Sequence, residues 1–149
     1  MIRDIITQIE LLFNRANIAY DEIIEWGELN PAVYTDFEKV KTIDSFIFRF
    51  IKIQDQIGNR LFKSFLNGLG DYMDSMSLLD VLDKLEKLEI IDSSFEWMEN
   101  RKLRNTLTHE YPDNEAEIIE GIIRALDAYN EMAKVFQKIK KITIKRNLI

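Results

Sequence analysis

The sequence lacks cysteine altogether and contains one histidine. Without cysteine the chain can form no disulfide and has no thiolate to hold zinc or an iron–sulfur cluster, and this composition is typical of a reducing compartment. One histidine with scattered acids is also too few ligands for a transition-metal site. We therefore expect no metal and no other cofactor.

Turn-forming residues and long apolar runs are equally scarce. Five glycines and two prolines among 149 residues leave little of the chain for turns. No apolar run approaches the roughly 20 residues of a membrane helix. The start, Met1-Ile2-Arg3-Asp4, carries an acid at once, unlike a signal peptide. With 46% hydrophobic residues, we expect one cytoplasmic domain over residues 1–149.

What the sequence does have is a helical period, with apolar residues three and four positions apart. The stripes run from Ile2 to Ile23, from Phe37 to Phe65, from Leu78 to Leu88, from Trp97 to Leu103 and from Ile118 to Phe136. No segment shows the alternation of a strand. The pattern predicts an all-α fold, an antiparallel bundle of about five helices.

Turn and capping residues predict where these helices begin and end. Gly27 and Asn30-Pro31 end the first helix, Gly58 bends the second, and Gly68 with Gly70 stops it. The following starts and stops are predicted by capping residues and proline: a capping box from Ser77 to Asp80, a second cap at Ser93 with Glu96, an end near His109 or Glu110 before Pro112, and a cap at Asn114 with Glu117.

The net charge of −6 argues against indiscriminate binding to nucleic acid. The charge is uneven, however, because six basic residues and no acid follow from Lys134 to the end of the chain. A basic C-terminal tail from about residue 138 has two interpretations. It either steers a polyanion to one place or is a frayed, solvated terminus.

One segment carries chemistry, residues 101–111, which contain the single histidine. Asn105 and His109 are four apart and share a helix face. Arg104 is five residues before His109, and its long side chain can still reach the same cleft. The carbonyls exposed at a helix end favour a charged imidazole, so His109 is expected to titrate near neutral pH as an acid or base.

An arginine beside a titratable histidine suits a phosphodiester. The guanidinium matches phosphate oxygens in pairs, and the imidazole moves the proton of an RNA 2′-hydroxyl or of the leaving oxygen, so no metal is required. One histidine per chain is too few for both transfers. A two-fold homodimer would bring two copies of Arg104 and His109 to one cleft. The plainer interpretation is that this spacing arises by chance and that His109 is a charge partner at a helix end.

The stretch Arg104-Asn105-Thr106-Leu107-Thr108-His109-Glu110-Tyr111 resembles a known signature: Arg, four residues, His, one residue, Tyr. It is the signature of HEPN-domain toxins of the HepT-like kind, in which a polar residue such as Asn105 follows the arginine. The stretch from Arg49 to Gly58 is similar to the second helix of that group. The resemblance extends from about Phe37 to Ile139, with about twenty specific residues.

The resemblance implies a helical homodimer with a composite ribonuclease site at its interface. Arg104 would bind the scissile phosphate, His109 would be the general acid or base, and Asn105 would orient His109 or the substrate. Asp55 falls where the group often has an acid, and would be a supporting residue. Tyr111 would accept AMP from a minimal nucleotidyltransferase antitoxin, which silences the toxin.

The sequence therefore leaves three hypotheses. The first is the endoribonuclease of a toxin–antitoxin pair. The second is a non-catalytic helical partner, or substrate-binding subunit, of a nucleotidyltransferase. The third is a structural bundle without chemistry. The Arg104, His109 and Tyr111 set favours the first, because a scaffold has no physical need for it.

Overall fold

The computed structural model describes residues 1–108 and 114–149, and within these ranges it contains helices and no strand. The elements are α1 (Ile2–Glu25), a 3₁₀ turn (Pro31–Thr35), α2 (Phe37–Gln56), a π-helical turn (Ile57–Leu61), α3 (Phe62–Gly68), α4 (Leu78–Lys87), α5 (Ser94–Thr108) and α6 (Glu115–Lys145). Helix α2, the π turn and α3 are continuous, so these residues form five helical rods. The predicted helical class and helix count are confirmed.

Helix α1 runs antiparallel to both rods that flank it, as the register of their contacts shows. Along α1, the partners on α6 run backwards through the chain: Glu10 with Lys140, Phe13 with Phe136, and Tyr20 with Asn130. The partners of α1 on the α2–α3 rod do the same: Gln8 with Arg60, Tyr20 with Phe46, and Glu22 with Thr42. The long helix α1 therefore packs between α6 and the α2–α3 rod.

An aromatic cluster lies where these three rods meet. The ring of Tyr129 lies 5.0 Å from that of Tyr20, 5.5 Å from Phe13 and 5.6 Å from Phe46, measured between centroids. Its hydroxyl donates to the Phe13 carbonyl at 3.3 Å and is bonded to the side chain of Asn17. Burial raises the pKa of Tyr129 above its usual range, so the hydroxyl stays protonated as a donor inside the core.

The predicted helix ends are largely confirmed. Ser77 and Asp80 form a reciprocal capping box, with bonds of 3.1 and 3.0 Å, at the start of α4. After α3, Gly70 has a φ of 80°, which glycine adopts without steric cost, and the amides of Gly70 and Asp71 bond back to the last turn. Gly58 lies in the π turn rather than at a simple bend.

The predicted side-chain cap at Asn114 is wrong. Asn114 is the residue before α6, but its side chain makes no capping hydrogen bond. Its ψ of 21° departs from the extended backbone with which a cap residue aims its oxygen at the first free amides. The acids Glu115 and Glu117 lie in the first turn, where they complement the helix dipole instead.

The basic segment at the C-terminus is part of helix α6, and its interpretation as a frayed terminus is wrong. Ile139 and Thr143 are fully buried within it. Lys138 donates to the Glu89 carbonyl at 2.9 Å, and Lys140 bonds Glu10 at 2.7 Å. Lys138 is 23 residues past the start of α6, about 35 Å along the helix axis.

None of the helices in the described ranges has the length and apolar character needed to cross a membrane.

Candidate active site on helix α5

Helix α5 is positioned by packing near its start and in its second half. In its first turn Trp97, which is 7% exposed, lies 4.8 Å from the ring of Phe62 between centroids. It also covers Gly58, where an added Cβ would lie 3.7 Å from the indole Nε1. These contacts hold the first turn of α5 against the π turn and α3.

The second half of α5 approaches α6 closely at Gly121. A Cβ at that glycine would lie 3.2 Å from Thr106, 3.4 Å from Leu107 and 3.5 Å from Leu103. The shortest of these contacts is tight, so a side chain here would require the Thr106 methyl to shift by a few tenths of an ångström. The lack of one lets the second half of α5, which carries Arg104, settle on the start of α6.

The π turn directly follows Asp55 and Gln56 on the rod that faces α5. A π turn inserts one residue into a helix and changes the direction in which the flanking side chains point, and such turns are frequent at functional sites. The sequence offered only the glycine at 58 as a signal. Along the chain, the turn separates Asp55 from Phe62, the residue whose ring packs on Trp97.

Arg104 and Asp55 are brought together across α5 and α2. Nη1 of Arg104 donates to Oδ1 of Asp55 at 2.6 Å. The side chains are 32% and 34% exposed, so the pair lies at the edge of the core and in reach of solvent. The bond takes up one of the five N–H donors of a guanidinium. Asp55 thus fixes the direction of the Arg104 head.

Arg104 lines an open groove of about 340 Å³ along α5, together with Met98, Arg101, Lys102, Asn105 and Thr108. The groove carries three cationic side chains, of which Lys102 is also bonded to Glu99 at 3.1 Å. Sequence reasoning missed Arg101 and Lys102 as part of this surface, although the run from Arg101 to Arg104 was visible. In a protein with a net charge of −6, the groove is a locally basic surface.

The last described turn of α5 presents Asn105 and Thr108 beside Arg104. The Asn105 side chain is exposed and lines the same groove. The Thr108 hydroxyl donates to the Arg104 carbonyl at 2.9 Å and lies 3.3 Å from the Asn105 carbonyl. The Thr108 side chain is thus bonded back onto the preceding turn of α5.

His109 and Tyr111 lie outside the described residues, as do the predicted helix end and Pro112. Of the predicted site, the structure thus places Arg104, Asn105 and Asp55, and brings Arg104 together with the other two. In the described ranges, no group of three or more histidine, aspartate or glutamate side chains is arranged to hold a metal ion.

A comparison of the chain with protein-family models, with curated proteins and with solved structures found no match in any of the three.

The Arg104–Asp55 pair is expected to contribute little to stability, because a half-exposed ion pair typically stabilises by about 0.2–1 kcal/mol. The measurement is a double-mutant cycle with Asp55→Ala and Arg104→Ala, followed by urea unfolding. We expect a coupling free energy below about 1 kcal/mol. A coupling of several kcal/mol would mean that the pair holds the helices together rather than orienting Arg104.

Proposed function

We propose that this protein is a metal-independent endoribonuclease in which Arg104 binds the scissile phosphate. The observation that carries the proposal is the Arg104–Asp55 bond at the edge of an open basic groove. A structural ion pair requires no groove lined by further cations. A phosphate site requires both features, because the phosphate must reach the arginine from solvent and the neighbouring cations attract it.

The chemistry of the guanidinium supports this role. Asp55 accepts from one nitrogen of Arg104, and the remaining donors of the planar fork can bind two phosphate oxygens at once. An arginine whose head is already oriented loses less side-chain entropy on binding. Asp55 is therefore a positioning residue, since it acts on the phosphate through Arg104.

The proposed proton transfers fall to His109, which directly follows the last described residue of α5, Thr108. As general base, its imidazole takes the proton of the RNA 2′-hydroxyl, whose oxygen attacks the adjacent phosphorus. The 5′-oxygen of the next nucleotide leaves and requires a proton. Because each chain has one histidine, a two-fold dimer would supply the second, and Asn105 would orient His109 or the substrate.

The proposed regulation acts at Tyr111, two residues after His109 in the sequence. A nucleotidyltransferase partner transfers AMP to its hydroxyl, with the phenolic oxygen attacking the α-phosphorus of ATP and pyrophosphate leaving. The adduct brings a phosphate charge and bulk to a site that binds RNA phosphate. The protein would then be the toxin of a cytoplasmic toxin–antitoxin pair.

Purified protein should cleave RNA in the presence of EDTA and leave DNA intact. His109→Ala should lower the rate about 10²- to 10⁴-fold, the usual contribution of a general acid–base group. Arg104→Ala should lower it about 10²- to 10³-fold by removing charge stabilisation. The measurement is the initial rate on a labelled RNA, with circular dichroism to check folding.

The matched control is Arg3→Ala, which removes the same charge from an exposed residue in the first turn of α1 that belongs neither to the groove nor to the basic C-terminal segment. Its rate should equal that of the wild type. Full activity of His109→Ala would contradict the proposed acid–base role. A protein that binds RNA but cleaves none would instead be the non-catalytic partner of a nucleotidyltransferase.

With a cognate nucleotidyltransferase and ATP, the wild-type protein should gain AMP on Tyr111 and stop cleaving RNA. Tyr111→Phe should keep its nuclease activity and escape silencing, because no proton transfer is assigned to that hydroxyl. Intact-mass spectrometry and the RNA assay together measure this. A modified wild type that cleaves at full rate would show that Tyr111 is not the switch.

A further inference from the structure

Phe48 is a large aromatic side chain that lies exposed in the middle of α2. Its exposed fraction is 56%, whereas its neighbours on the other side of the helix, such as Phe46 and Phe50, are fully buried. Two cations flank the ring: Nζ of Lys52 lies 5.1 Å from its centroid and the guanidinium carbon of Arg49 lies 5.8 Å away. These distances are those of cation–π contacts.

This aromatic residue lies on the helix face that leads to the candidate site. Phe48, Lys52 and Asp55 are spaced by four and three residues, so they follow one another on one face of α2. The seven residues from Phe48 to Asp55 span about 10 Å along the axis. Asp55 in turn bonds Arg104. An exposed ring, two cations and the proposed phosphate site thus form one continuous surface.

We propose that Phe48 is a stacking position for a base of single-stranded RNA, an inference that rests on the proposed function. The base lies on the open face of the ring, and Lys52 and Arg49 bind the phosphates on either side of it. The strand then continues along α2 to the phosphate at Arg104. Sites for single strands in proteins combine these two elements, an aromatic platform and cations that follow the backbone.

The flanking charges favour RNA over a protein partner at this position. The centres of protein interfaces are depleted in lysine, because its ammonium must lose water there. Lys52 is exposed and lies directly beside the ring. A polyanion benefits from that charge, whereas a second copy of this acidic chain would have to bury it.

The test is binding of a 2′-O-methyl RNA trinucleotide at low salt, measured by calorimetry, since this probe lacks the 2′-hydroxyl and cannot be cleaved. Phe48→Leu keeps an apolar side chain but removes the aromatic face. It should raise the Kd about 5- to 150-fold, the loss of one base–aromatic stack. Phe48→Trp should keep the affinity, and its added indole fluorescence should be quenched by the RNA.

The matched control is Phe37→Leu. Phe37 is 73% exposed on the same helix and also has a lysine over its ring, Lys41 at 5.9 Å. It lies 18 residues from Asp55, about 27 Å along the axis, beyond the reach of a trinucleotide placed at Arg104. Its Kd should equal that of the wild type.

Three results would overturn the inference: no binding of the trinucleotide, an unchanged Kd in Phe48→Leu, or a change in assembly mass in Phe48→Leu by light scattering. The last would assign Phe48 to a contact between proteins. The outcomes also separate this inference from the nuclease. Stacking at Phe48 without RNA cleavage would remove the proposed reaction alone, and cleavage with no Phe48 dependence would remove the stacking position alone.

Discussion

The packing of Trp97 against the π turn is the contact on which the candidate site depends. It sets where α5 begins against the α2–α3 rod, because the indole lies on Gly58 and beside Phe62. The close approach at Gly121 then fixes the second half of α5. Between these two constraints the helix has little freedom to slide or rotate. Arg104 therefore meets Asp55 as a consequence of packing.

This order of causes explains why a weak interaction can matter at the site. A half-exposed ion pair contributes at most about 1 kcal/mol, whereas burial of a large apolar side chain contributes about 1.5–3 kcal/mol. The apolar contacts of Trp97, Leu103 and Leu107, all nearly buried, therefore hold the helix. The role of the ion pair is therefore to orient one guanidinium. Because the fold does not depend on this pair, its interaction energy can change when an anion binds without unfolding the helix.

Much of the fold could be predicted from the sequence because its signals are local. The apolar stripes gave five helices, and the capping box from Ser77 to Asp80 is present with both bonds. The π turn was not predicted, because Gly58 is the one local signal for it and the residue that covers it, Trp97, is 39 positions away in the chain. The cap at Asn114 was predicted from residue type alone, whereas capping also requires an extended backbone, and Asn114 has a ψ of 21°.

The candidate site was less predictable than the fold, because it joins residues that are far apart in the chain. Asp55 was singled out through resemblance alone, and the structure places it on Arg104 at 2.6 Å. No pattern within α2 pairs these two residues, which are 49 positions apart. The exposed Phe48 was not singled out, although the helical period already places it on the face opposite Phe46 and Phe50. What the sequence could not display is that Phe48 and the cation beside its ring, Lys52, lie on the face that leads to the Arg104–Asp55 pair, because that pair joins two helices distant in the chain.

The central claim is that RNA cleavage here uses the 2′-hydroxyl of the substrate as the nucleophile, with Arg104 on the phosphate. The most direct measurement is cleavage of an RNA that carries a single 2′-deoxynucleotide immediately 5′ of a mapped cut. The account predicts that this bond alone becomes resistant, while other cuts in the same RNA continue at their former rate. Cleavage of that bond at an unchanged rate would show that water attacks the phosphate, and would contradict the account.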